Sequence, residues 1–278
     1  MILLTGGNGQ LGTAFRSLLP AARAVARREL DLSRPAGVAA TLDAWRPSLL
    51  INCAAYTAVD RAEEEEAAAA AINAEAVGVM AAFAATRDIP FVTFSTDYVF
   101  DGAGGEPYVE SDTPAPINAY GRTKRAGEVL ALENHPAGTL LIRTSWLVSG
   151  THPNFIGTML RLARRGDPFR VVDDQHGCPT IAADLARVTL AALDAGARGL
   201  LHLVNPPATT WFDLARATLK TAGMNPDLVE PCPSTDFPRP AARPSYSVLG
   251  SERLGKLGLA GLPPWRESLP GVVEMLTR

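Results

Sequence analysis

The sequence predicts an α/β fold: a doubly wound parallel sheet followed by a smaller, mixed α/β C-terminal unit. Three observations carry this expectation. Short apolar runs of strand type alternate with helical stretches across the first half, the pattern of a parallel sheet with right-handed crossovers. The first apolar run closes on glycines and passes directly into a helical segment. Prolines then crowd the last third, at positions 231, 233, 238, 240, 244, 263, 264 and 270, and are expected to forbid long regular elements there. The expected division is 1–150 for the larger domain and 151–278 for the smaller, with some later segments returning to the first.

Each element has its own justification. Ile2-Leu3-Leu4-Thr5 is an apolar strand, and residues 11–19 carry helical spacing. Residues 49–53 and 91–94 read as strands buried on both faces, and the Ala-rich stretch 67–86 between them has strong helix propensity. Glu63 to Glu66 fits the acidic first turn of that helix, where the helix dipole favours carboxylates. A helix from about Tyr120 to Glu133 leads to a strand at 139–144. In the second half, a helix closes at 161–165, Val171-Val172 is strand-like, and 184–193 is helical again.

Composition narrows the functional classes. With 278 residues, 47% hydrophobic and 20% charged, the chain can bury a sizeable core, which rules out intrinsic disorder. A formal charge of -3 lacks the basic surplus that binding to a phosphate backbone demands, so no nucleic-acid partner is expected. Cys53, Cys178 and Cys232 form no C-x-x-C pair, and the four histidines lack i, i+4 spacing, so neither disulfides nor a metal are expected. No basic segment followed by an apolar stretch opens the chain, and a cytoplasmic protein without a membrane partner is the expectation.

Three motifs carry chemistry. In Thr5-Gly6-Gly7-Asn8-Gly9-Gln10-Leu11-Gly12, glycines at 6, 9 and 12 stand between strand and helix. They suit a tight turn, close approach of backbone N–H groups to a pyrophosphate, and close helix–strand packing, which together describe a Rossmann-type dinucleotide site. Tyr120 and Lys124 are four residues apart and share one helix face. A phenol is a poor acid–base at neutral pH unless a cation stabilises its anion, so the pair suits proton transfer. With five tyrosines and three lysines, a chance Tyr-x-x-x-Lys is expected only about 0.05 times. Ser95-Thr96-Asp97-Tyr98 follows a strand whose carboxyl end faces the ligand crevice, making Thr96 or Ser95 the candidate partner of Tyr120. Asn52-Cys53-Ala54-Ala55-Tyr56 ends an earlier strand over the same crevice, its small side chains leaving room for a cofactor.

Together these motifs resemble the extended short-chain dehydrogenase/reductase superfamily. The chain is more narrowly similar to the dTDP-4-dehydrorhamnose reductase family in NCAAYTAVD (52–60), STDYVFDG (95–102), NAYGRTK (118–124), RTSW (143–146) and DQHGCPT (174–180), with Asn154-Phe155 and Arg243-Pro244 further on. The resemblance implies NAD(P)H-dependent reduction of the C4 ketone of dTDP-4-dehydro-6-deoxy-L-mannose to dTDP-L-rhamnose, for rhamnose-containing polysaccharide. Tyr120 would be the general acid, Lys124 would hold the nicotinamide ribose and lower the Tyr120 pKa, and Thr96 would hydrogen-bond the substrate oxygen. Gly6, Gly9, Gln10, Leu11 and Gly12 would hold the cofactor, together with Asp31, Leu32, Ala54, Ala55 and Tyr56. Asp97, Tyr98, Trp146, His176 and Thr180 would face the sugar nucleotide, and Asn73 would be a structural or site residue.

Cofactor choice rests on Val25-Ala26-Arg27-Arg28, where the acidic residue that clamps a free ribose 2′-hydroxyl is missing. Arg27 and Arg28 could hold a 2′-phosphate, so NADPH is expected over NADH, against the alternative that they lie on a solvated loop. Two other functions stay open. One is epimerisation or dehydration on the same fold, disfavoured because Thr96 is followed by Asp97-Tyr98 rather than Asp-Glu. The other is a catalytically silent NADP-binding regulatory subunit. Monomer and homodimer are not distinguished.

Overall fold

The computed structural model describes residues 1–278. Its centre is a sheet of six strands: β1 Ile2–Thr5, β2 Arg23–Val25, β3 Leu49–Asn52, β4 Phe91–Thr96, β5 Thr139–Thr144 and β6 Gly199–His202. All neighbours are parallel, in the order β6-β5-β4-β3-β1-β2. The chain steps outward from β1 to β2 and then crosses back to β3. The loops leaving β1 and β3 therefore diverge and open a crevice at the carboxyl edge, where an open α/β sheet binds its ligand.

The strands are apolar on both faces because helices cover both. Val38–Trp45, Glu66–Thr86 and Ala119–Asn134 pack on one side through Val38, Leu42, Val77, Met80 and Ala131. Gln10–Leu18 and Ala182–Asp194 cover the other through Leu11, Phe15, Leu185 and Val188. The helix Ala182–Asp194 and β6 thus return from the second half of the chain to the central sheet. The remaining C-terminal segments surround a separate core of Ile156, Leu160, Leu214, Trp265, Leu269 and Val273. Short parallel pairs stiffen them, Leu147–Val148 with Thr180–Ile181 and Phe169–Val172 with Val229–Cys232.

Three features depart from the sequence reading. Pro270 does not end a helix but lies inside Trp265–Thr277. The bond it removes is one among many, and burial of Trp265, Leu269, Val272 and Val273 outweighs it. Second, the helix expected at 67–86 is present as Glu66–Thr86 and packs on the sheet with Ala76, Val77, Met80, Ala81 and Ala84 in the core, but it is not regular throughout. Its middle, Ala71–Glu75, widens into a π turn that pushes the Asn73 carbonyl towards the neighbouring helix. Third, Glu63 to Glu66 is not one helical turn. Glu63 Oε1 accepts from the Ala119 N–H at 2.7 Å, Glu65 accepts from the Tyr56 hydroxyl at 2.7 Å, and Glu66 pairs with Arg122 at 2.8 Å. The run is acidic because it grips the start of Ala119–Asn134.

That helix meets its neighbours backbone to backbone at two glycines. A Cβ on Gly127 would lie 2.0 Å from Asn73 O, and one on Gly121 would lie 2.1 Å from Tyr98 O. Gly157, in the helix Phe155–Ala163, has only ordinary contact, 3.8 Å from Leu276 Cδ2. Gly127→Ala is therefore expected to destabilise the protein by about 1–3 kcal/mol through overpacking. Gly157→Ala should be neutral or stabilising by up to about 1 kcal/mol. Thermal unfolding of the two variants checks this, and equal shifts would contradict the close approach.

Candidate active site

The crevice holds two contiguous cavities of about 320 and 630 Å³, which share Gly6, Gly9, Ala54 and Ala55 in their walls. The glycines between them are required for different reasons. Gly6 has φ +65°, and a Cβ there would lie 2.6 Å from Ala54 N; a Cβ on Gly12 would lie 2.2 Å from Gly6 O. Gly9 differs. Its φ of -87° suits any residue, and its Cβ would meet nothing closer than Gly6 O at 3.5 Å. Neither strain nor packing requires glycine at position 9, which leaves the open face towards the cavity. Gly9 also begins the helix Gln10–Leu18, with no side-chain cap and no acidic residue in the first turn. Free N–H groups at an uncapped N-terminus, under a surface bare of side chains, fit a pyrophosphate.

The smaller cavity runs past the end of β2, along Val25, Arg27, Asp31, Leu32 and Ser33. Val25-Ala26-Arg27-Arg28 holds no acid, and the two acids that follow it are engaged by neighbours. Glu29 folds back to accept from the Ala26 N–H at 3.0 Å, and Asp31 accepts from Ser33 Oγ at 2.7 Å and from Arg27 Nε at 3.4 Å. Hydrogen bonds from Ser33, then the Arg27 charge, hold the Asp31 carboxyl below its ordinary range. Arg27 is mostly exposed yet contributes to the cavity wall, whereas Arg28 does not.

The larger cavity ends at Tyr120, Lys124, Thr96 and Asp97. The helix that carries Tyr120 and Lys124 is started by Asn118, whose Oδ1 accepts from the Gly121 N–H at 2.7 Å, and by Glu63. Burial pushes the Tyr120 phenol up to about 12, the Asp97 charge adds to this, and the Thr96 hydroxyl opposes it. Burial lowers Lys124 to about 8, opposed by the Glu128 charge, and its Nζ donates to Phe94 O at 2.5 Å. Burial raises Asp97 to about 6, although Ser247 Oγ donates to it at 2.5 Å and Thr96 Oγ1 at 3.0 Å. Ser95 Oγ and Thr144 Oγ1, in the same wall, are buried with no protein partner.

Not every expected site residue lies on the crevice. Ala54 and Ala55 do, but Tyr56 is turned away, its hydroxyl on Glu65 and its backbone N–H donating to Asn73 Oδ1 at 2.8 Å. Gln10 and Leu11 are in the wall, but Leu11 is packed in the core and the Gln10 side chain is spent on the segment after β5. Trp146 is in the wall, held in a left-handed conformation, φ 44°, and stacked 3.6 Å from Trp211. A Cβ on Gly177 would lie 2.5 Å from the Trp146 ring, which explains the glycine within DQHGCPT. Tyr98 stands behind Tyr120, edge to face at 5.9 Å between ring centroids. His176 is exposed beside Tyr246, away from the cavity walls. Thr180 is fully buried, its hydroxyl has no protein partner, and it is absent from those walls.

Sequence reasoning gave Thr144 no role, placed Asn52 over the crevice without saying what it does, and left Asn73 as either a structural or a site residue. Asn52 Oδ1 accepts from Thr5 Oγ1 at 2.6 Å and from the Ala54 N–H at 3.2 Å, which ties the ends of β1 and β3 into the shape that presents Ala54. An Asn closing an apolar strand was its one visible sign.

Comparison with known proteins agrees with this geometry. The family model described as RmlD substrate binding domain matches residues 1–278. A dTDP-4-dehydrorhamnose reductase of Streptomyces griseus is 43% identical, over 96% of this chain and 91% of its own. A dTDP-4-keto-6-deoxy-D-glucose reductase of Streptomyces niveus is 39% identical, over 99% and 96%. The crystal structure of a dTDP-4-dehydrorhamnose reductase from Bacillus anthracis in complex with NADP superposes with a TM-score of 0.93 at 36% identity, covering 98% of this chain and 97% of that one. Matched from end to end in both sequence and fold, the chain belongs to the RmlD substrate binding domain family.

Proposed function

We propose that this protein reduces the C4 ketone of dTDP-4-dehydro-6-deoxy-L-mannose, giving dTDP-L-rhamnose, with NADPH as reductant. One observation carries the reading: Tyr120, Lys124 and Thr96 converge at the end of a cavity whose other end is the bare glycine turn. The N–H groups in the first turn of Gln10–Leu18 would hold the pyrophosphate, Arg27 and Ser33 would flank the adenosine, and Lys124 would hold the nicotinamide ribose. When bound, the reduced nicotinamide supplies a hydride to the C4 carbon.

The chain's own residues handle the charge that then develops on the C4 oxygen. A phenol held near 12 keeps its proton at neutral pH, so Tyr120 is loaded as an acid and delivers that proton to the oxygen. Lys124 uses one of its three protons on Phe94 O; it does not lower the resting Tyr120 phenol, contrary to what the resemblance implied, and its remaining protons would serve the nicotinamide ribose and the phenolate left behind. Thr96, whose hydroxyl points to Asp97 Oδ1, swings its hydrogen to the C4 oxygen as that oxygen turns negative, while Ser247 continues to satisfy Asp97. Added hydride and proton balance as one secondary alcohol.

Three measurements test this. Tyr120→Phe should retain cofactor affinity while kcat falls by about 10² to 10⁴, since only the proton donor is lost. A variant keeping more than about half of wild-type kcat, with chemistry limiting turnover, would remove Tyr120 from the role.

The second concerns pH. Lys124 acts as a cation, so kcat/KM for NADPH should decline as pH rises through about 8, where the buried ammonium of the free enzyme loses its proton. In Lys124→Arg that limb should vanish from the accessible range even if the overall rate drops, because guanidinium does not titrate there. A limb unchanged in the variant would assign it to another group.

The third is cofactor choice. Arg27 borders the cavity and Arg28 does not, so Arg27→Ala should cost about tenfold or more in NADPH preference over NADH, as loss of one charge-assisted bond to phosphate. Arg28→Ala should change the ratio little. Equal effects of the two substitutions in steady-state titrations would place the 2′-phosphate elsewhere.

A further inference from the structure

Between β5 and the helix Phe155–Ala163, residues 149–154 leave the sheet and run beside the glycine turn without regular structure. Two side chains tie this segment to the turn. Gln10, the first residue of the helix Gln10–Leu18, donates through Nε2 to Leu147 O at 3.1 Å. Its Oε1 accepts from Ser149 Oγ at 3.0 Å and from Asn154 Nδ2 at 3.2 Å, so one amide holds both ends of the segment. The middle is held from the other direction: His152 Nε2 lies 2.8 Å from Asn8 O, between Gly7 and Gly9. A carbonyl can only accept, so Nε2 carries the hydrogen and Nδ1 takes the Thr151 hydroxyl, 2.9 Å away.

His152 and Pro153 are also part of the cavity wall that includes Gly9, Gln10 and Lys124. The segment therefore closes the crevice where the middle of a dinucleotide would lie, and it is fastened to the cradle itself. All the fastenings are single hydrogen bonds, of the kind that break and re-form during turnover. Neither Gln10 nor His152 is needed for the proton transfer.

We infer that segment 149–154 is a strap across the cofactor crevice, latched to the glycine turn by Gln10 and His152, and that unlatching sets the rate at which the dinucleotide leaves. This rests on the dinucleotide reading above. His152 and Gln10 are thus positioning residues for the cofactor, acting through the strap.

The test uses the intact protein and NADPH itself. Release is followed by the fall in NADPH fluorescence on stopped-flow mixing with excess NADP, in wild type, His152→Ala and His152→Gln. Separately, amide hydrogen exchange of residues 150–153 is measured without cofactor. Loss of one neutral hydrogen bond predicts release about 5- to 10-fold faster in His152→Ala. Partial recovery is expected in His152→Gln, whose amide can again donate to Asn8 O, and KM for the sugar nucleotide should change less than about twofold. Amides 150–153 should exchange faster in His152→Ala while those of the sheet do not. Normal NADPH binding with an unchanged release rate in His152→Ala would overturn the strap alone. Failure of the wild type to bind either nicotinamide dinucleotide would overturn the cofactor reading and the strap with it.

Discussion

The active side chains can converge only because the helix Ala119–Asn134 approaches its neighbours more closely than side chains allow. Gly121 lets it touch the backbone at Tyr98, and Gly127 lets it touch the π turn at Asn73. The first contact brings Tyr120 against Thr96 and Asp97, and the second lets the helix settle low enough for Lys124 to reach Phe94 O at the end of β4. Asn73 completes the joint by donating to Thr123 Oγ1 at 3.2 Å and to Tyr56 O at 3.1 Å. A helix one side chain farther out would leave the phenol and the ammonium short of the crevice.

Sinking this helix buries charge, and each buried charge is handled differently. Glu128, one turn beyond Lys124, meets Arg143 of β5 in a two-pronged pair at 2.8 and 2.7 Å, both residues about 1% exposed. Burial opposes ionisation of Glu128, but the Arg143 fork more than offsets it and the carboxyl falls below its ordinary range. Arg143 also approaches His202 Nε2 at 3.3 Å, while His202 Nδ1 faces the Tyr108 and Gly250 carbonyls. Acceptors at Nδ1 and a donor at Nε2 describe a neutral imidazole, and burial followed by the Arg143 charge lowers its pKa in keeping. These pairs give up conformational freedom and fix geometry, whereas Lys124 and Asp97 have no opposite charge in direct contact. The structural charges are neutralised inside the protein, and those facing the cavity are left to respond to what enters it.

The difference also governs what the sequence revealed. The alternation of strands and helices, the glycine triplet and the Tyr-x-x-x-Lys spacing are local patterns, set by the periods of the elements and by turn geometry, and they were legible. Residues whose role depends on a distant partner were not. The glutamates at 63 to 66 look like a helix start because nothing nearby shows that Ala119 and Arg122 stand opposite them. Pro270 looks like a helix breaker because the buried face that overrides it packs against two other helices and the strand Thr180–Ile181, all distant in sequence. Tyr56 lies within a motif that does reach the crevice, yet a turning backbone sends neighbouring side chains in opposite directions, and position in a motif does not settle which way each points.

The substrate half of the site was the less readable for the same reason. The pyrophosphate cradle of the cofactor half consists of backbone amides and missing side chains at the end of one strand, so that part is encoded within eight consecutive residues. The substrate half is assembled from the ends of β4 and β5 and from Trp146, which keeps its left-handed conformation through stacking on Trp211 and the absence of a side chain at Gly177. Ser145 Oγ adds a bond to Cys178 O at 2.6 Å, so the same two segments are joined on either side of the tryptophan. A change at Gly177 or Trp211 would therefore move the indole wall without touching the turn at Gly6 to Gly12. Selectivity for the sugar and the hold on the pyrophosphate can vary independently, because the first depends on contacts between segments and the second on the backbone of one.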